Sequence, residues 1–157
     1  MFPSTRLLLL GGTLVLLGAC SDSAAPVAAT LTAVSPTPAA TGVAPTTTIS
    51  MTFGQPMMAG MEQYVDLHDG DITGPTVPMT CGWNQAETTL TCAPTQSLDS
   101  LTTYTMHLGA GMTDAMGHRM SLADWTGRGG QWATGTMMGG GWTDGSHYGM
   151  LFPFTTH

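Results

Sequence analysis

The chain has 157 residues, of which 8% are charged, and its formal net charge is −7. It contains no lysine, and past Arg6 its basic residues are Arg119 and Arg128. A nucleic-acid or anionic phosphate partner needs a basic footprint, so this composition excludes both classes. Polarity comes instead from Thr, Ser, Gly and Gln, and methionine, at 13 residues, is the compositional outlier.

The chain opens with Arg6, the apolar runs Leu7–Leu10 and Leu14–Leu17, and then Gly18-Ala19-Cys20. A positive start, a short apolar stretch and small residues before a cysteine resemble a bacterial lipoprotein signal peptide. The apolar stretch falls short of the roughly 20 residues a membrane-spanning helix needs. The resemblance implies removal of residues 1–19 and a lipid on Cys20. Ser21, rather than an aspartate, follows the cysteine, as outer-membrane sorting requires where that rule operates. The expected location is the bacterial cell envelope, periplasmic or surface-facing, with the membrane reached through lipid. Residues 20–30, rich in Ser and Ala, read as a flexible tether.

From Leu31 the chain breaks into short β segments between turn residues. Leu31–Val34 comes first. Thr48–Phe53 alternates, placing Ile49, Met51 and Phe53 on one face. Tyr64–His68 points Val65 and Leu67 inward. The following Asp66–Asp71 stretch has the look of a calcium loop but lacks its full ligand series, and Asp-Gly is an ordinary turn signal. Met79–Trp83 and Thr88–Cys92 form a hairpin around Asn84–Glu87, with Cys81 opposite Cys92. An oxidising compartment favours joining these two cysteines. Thr103–Leu108 puts Tyr104, Met106 and Leu108 on the core face, and Met150–Thr155 closes the chain. His68 and His107 alternate outward and read as surface residues, while His157 is expected to fray. About seven strands and no sustained helical periodicity predict an all-β sandwich.

The order and spacing of several short pieces resemble the bacterial Ig-like domain of surface-layer proteins, the SbsA type. These pieces are Val34-Ser35-Pro36, Gly42–Pro45, Met51–Met57, Leu98, Leu101–Thr105, Met112–Gly117 and Phe152–Thr155. The resemblance covers residues 31–156 and implies an Ig-like sandwich, of a kind that serves as stalk, spacer or binding module. The chain departs from that pattern at Met58, at Met61 and at Met116-Gly117-His118. It also carries a long Gly-, Met- and Trp-rich connection at residues 121–148.

In an Ig-like sandwich the connections holding these departures emerge at one end. Thioethers are soft ligands that favour Cu(I), and imidazole suits copper in either oxidation state. Methionine also keeps its ligand form where free cysteine would oxidise. Met58, Met61, Met116 and His118 are therefore candidate copper ligands, with Met137, Met138 and His147 contributed by the long connection. Small periplasmic copper-resistance proteins are similar in residue type and plan. Met51, Met79, Met106, Met112 and Met120 read as core, where methionine fills irregular gaps. No nucleophile elbow, zinc-protease helix or phosphate loop is present, so no enzyme is expected. The other reading is a structural or adhesive envelope protein whose partner is a protein or a polysaccharide.

Overall fold

A computed structural model describes residues 27–133 and 149–157. Cys20, Met137, Met138 and His147 lie outside the described residues. The strands are β1 (Leu31–Ser35), β2 (Ala40–Val43), β3 (Ile49–Phe53), β4 (Val65–Asp69) and β5 (Met79–Trp83), then β6 (Thr89–Pro94), β7 (Thr103–Leu108), β8 (Gln131–Trp132) and β9 (Met150–Thr156). One sheet has the order β1-β3-β6-β5; the other runs β2-β9-β7-β4, with β8 on β9. The chain is an all-β sandwich, as its alternating strands predict.

The core strands β3, β4, β7 and β9 form because apolar residues recur at every second position, so one face can be buried. Ile49, Met51 and Phe53 enter the core from one sheet. Tyr104, Met106, Leu108, Phe152 and Phe154 meet them from the other. The Tyr104 and Phe154 rings lie 5.9 Å apart. Cys81 stands opposite Cys92 across β5 and β6, and the two form a disulfide. Asn84 closes the hairpin turn, its side-chain oxygen accepting the Thr88 and Thr89 N–H groups at 2.9 and 3.1 Å.

The seven expected strands are all present, and two short ones are added. β2 pairs in parallel with β9 through Ala40 and Val43. Its Gly42 sits at φ 69, a left-handed conformation that glycine tolerates best. β8 pairs with the start of β9. The first part of the long connection is also packed rather than loose. Trp125, in a 3₁₀ turn at Ala123–Arg128, is buried edge-on against Phe152 and donates its indole N–H to Leu31 O at 2.7 Å. At the other end, Ala29 is buried and Thr30 bridges Ser121, so these two residues pack with the sandwich.

The histidine expectations are corrected. His68 and His107 do project from the face opposite the core, but they are 3% and 0% exposed. Gly70–Thr76 folds back over His68, placing Gly74 O 3.0 Å from its Nδ1, an effect that alternation does not carry. His157 is held too, its N–H donating to Val43 O at 3.0 Å.

Candidate functional site

Two connections meet at one end of the sandwich. The segment after β3 carries Met57 and Met58 and leads into a 3₁₀ turn at Met61–Tyr64. The segment after β7 doubles back on itself, with Met120 N bonded to Met112 O and Asp114 N to His118 O, both at 2.9 Å. Gly117, at φ 85, lets that ribbon turn. The two segments are stitched by Met58 N to Thr113 O at 3.1 Å and Ala115 N to Pro56 O at 2.9 Å. Both pairings need two extended backbones with free edges, and each edge strand here finds its partner in the other connection.

Thr113 is the point where the methionines converge. Its hydroxyl lies 3.8 Å from Met58 Sδ and 3.7 Å from Met61 Sδ. Its backbone N–H also donates to Met61 Sδ at 3.2 Å. Met61 is therefore buried with its sulfur already in use, which makes it first a packing residue. Met58 is 40% exposed and Met116, at the turn tip, is 82% exposed. Met57, Met112 and Met120 are buried, so they belong to the core.

Asp114 organises the turn. Its Oδ1 accepts the Met116 N–H at 2.9 Å and the His118 N–H at 2.8 Å. Its Oδ2 lies 3.0 Å from His118 Nδ1. The carboxylate is buried while the imidazole is partly open. Burial acts to raise the Asp114 carboxyl, but the hydrogen bonds from His118 and Met116, with the His118 charge, outweigh it and hold it below the ordinary range. With Nδ1–H given to the carboxylate, Nε2 is the nitrogen left to bind a metal, an arrangement common behind metal-bound histidines. Met58, Met61, Met116 and His118 thus share one end of the molecule, around Thr113 and Asp114.

Glu62, in the same 3₁₀ turn, accepts the Trp83 indole N–H at 2.9 Å, and that bond first of all keeps its carboxyl low. Among the described residues, no three His, Cys, Asp or Glu side chains are grouped to hold a metal, so any site here depends on sulfur. Among the described residues, a cleft of about 410 Å³ runs between Glu62 and Cys81, and one of about 350 Å³ lies beside Thr30, Asp124 and Arg128. The buried pair His68 and His107 was missed from sequence. The acidic turn that follows His68 is the signal that could have marked its cover.

Comparison with known proteins places the fold. An N-terminal part of the bacterial S-layer protein SbsC superimposes with a TM-score of 0.50 at 13% identity, covering 83% of this chain and 24% of that one. The longer rSbsC(31-844) structure gives 0.49 at 12% identity, covering 83% and 14%. CopC from Methylosinus trichosporium OB3b gives 0.45 at 18% identity, covering 58% and 83%. At 13% identity the likeness to the N-terminal SbsC structure is one of fold alone, and the chain spans less than a quarter of the S-layer structures. No curated protein matches significantly. A family model described as "Bacterial Ig-like domain" matches residues 23–129, well over half of the chain. Sheet order, core alternation and this match agree: the chain belongs to the bacterial Ig-like domain family.

Proposed function

We propose that this Ig-like domain is a non-catalytic binding module of the cell envelope, held to a membrane by lipid on Cys20, whose Met/His end captures Cu(I). The observation that supports this reading is the convergence of the Met58 and Met61 sulfurs on Thr113, one residue from the carboxylate that orients His118. Soft, neutral thioethers select Cu(I) over harder ions, and an imidazole adds a nitrogen donor. Met116, exposed at the turn tip, is free to swing toward a metal held by the other two. Met137, Met138 and His147 would add donors from the glycine-rich connection.

A specific observation favours the structural or adhesive reading instead. Met61 is buried and its sulfur is engaged by the Thr113 N–H, as a packing residue would be. Cu(I) titration of the full chain against the Met58→Leu/Met116→Leu variant separates the two. Leucine keeps volume and hydrophobicity close, so folding should survive. The binding reading requires at least a tenfold weaker affinity, about 1.4 kcal/mol. Equal affinity leaves the structural reading.

A further inference from the structure

The outer face of the β2-β9-β7-β4 sheet carries two buried imidazoles that neither the core nor the Met/His end uses. Asp66 pairs with His107 and His68 with Thr105 across β4 and β7, so the two histidines are diagonal neighbours on one face. Their ring centroids are 6.3 Å apart and their planes tilted by 48°. The cover is built for its place. Thr105 donates its hydroxyl to Gly70 O at 2.6 Å. Asp71 Oδ1 accepts both the N–H and the hydroxyl of Thr73 at 2.8 and 2.6 Å. Asp69 N bonds Pro75 O at 3.0 Å. Position 74 requires glycine, because a Cβ there would run into the Asp69 carbonyl.

That cover fixes the tautomer of His68. Gly74 O can only accept, so the ring nitrogen 3.0 Å from it, Nδ1, carries the proton. In the neutral ring Nε2 is then a bare lone pair, and it is buried with no hydrogen-bond partner. A buried acceptor left unmet is costly, and an ion is one of the standard reasons for one. A backbone carbonyl on the far nitrogen is also how ligating histidines are commonly oriented.

The spacing is compatible with a two-coordinate ion. Two imidazoles on one metal, through bonds of about 2.0–2.1 Å, hold their centroids roughly 5–6.5 Å apart, widest when nitrogen, metal and nitrogen are nearly in line. The 6.3 Å here lies at the linear end. Zinc, which takes four ligands in a tetrahedron, does not suit it. The charge is also right: Asp66, Asp69 and Asp71 lie in the same stretch, and no Lys or Arg occurs between Arg6 and Arg119. We propose that His68, beneath the Gly70–Thr76 cover, and its diagonal neighbour His107 form a second, two-nitrogen site for a soft monovalent cation, Cu(I). This site is independent of the Met/His end.

Silver(I) is a redox-inert probe for such a site. The full chain carrying Met58→Leu/Met116→Leu, solubilised in detergent, is titrated with Ag(I) while imidazole ¹⁵N shifts are followed by NMR. One equivalent should move the His68 Nε2 resonance and one nitrogen of His107 together. His68→Gln or His107→Gln should weaken binding at least tenfold and abolish the shift at the surviving ring. Unchanged His68 and His107 resonances, or a response confined to His118 and the remaining methionine methyls, would overturn the proposal. If a glutamine variant does not fold, the titration of the two native histidines decides alone. Because Met58 and Met116 are absent from this background and His118 is followed separately, failure here is distinguishable from failure of the Met/His site.

Discussion

His118 Nδ1 lies 3.0 Å from the Oδ2 of buried Asp114, and the same carboxylate binds two backbone N–H groups of its own turn. One side chain thus shapes the turn, presents Met116 at its tip and leaves His118 Nε2 as the nitrogen for a ligand. The turn and the candidate ligands stand or fall together.

Asp114 gives the fold an acid sensitivity with a defined sign. Its folded carboxyl sits below the ordinary value, so its ionised form stabilises the fold fully above about pH 4. That contribution is lost as pH falls further, through the folded value. Glu62, lowered first by the Trp83 indole, acts in the same window. Thermal melts should show Asp114→Asn destabilised at neutral pH, with the gap to the parent closing below about pH 4. A gap that stays constant down to pH 2 would contradict this.

The disulfide closes a short loop, with 11 positions separating Cys81 from Cys92. Replacing both by alanine should cost roughly 2–3 kcal/mol in denaturant unfolding, on the loop-entropy account. A loss under about 0.5 kcal/mol would mean that strand pairing alone holds the hairpin.

Trp125 tests whether the start of the long connection is part of the fold. Trp125→Phe keeps a ring against Phe152 but strands Leu31 O, and should cost about 1–3 kcal/mol. Trp125→Ala should cost about 3–5 kcal/mol. Melts unchanged by Trp125→Ala would return residues 121–133 to the status of a loose loop.

The strands were readable because each alternates apolar and polar residues, and Ile49, Met51 and Phe53 could fall on the core face in no other way. The cysteine pairing was readable from the hairpin between them, but its register was not set by a turn confined to Asn84–Glu87, because Trp83 pairs with Leu90 across a longer connection. β2 was not: Ala40-Thr41-Gly42-Val43 is short, weak in strand propensity and paired with the far end of the chain. Neither was the burial of His68, which Gly70–Thr76 imposes through Gly74 O. The meeting of the Met58 and Met116 connections followed from the expected topology, but not the use of the Met61 sulfur by Thr113. That bond depends on side-chain depth, which a sequence pattern does not encode.

On the proposed reading lipid on Cys20 holds the protein to the membrane; among the described residues no helix is long and apolar enough to cross one. Buried acyl chains contribute about 0.8 kcal/mol per CH₂, so Cys20→Ser should move the protein from the membrane fraction to the soluble one. Persistent membrane association of Cys20→Ser would overturn the lipid anchor.

Cu(I) affinity at the Met/His end tests the central claim most directly. Competition with a Cu(I) chelator of known affinity should place the parent chain below micromolar, and Met58→Leu/Met116→Leu at least tenfold weaker, about 1.4 kcal/mol. His118→Ala should add to that loss. Parent and variant binding equally, or a parent that binds no Cu(I) below micromolar, would contradict the account and leave an Ig-like envelope domain whose methionines serve packing.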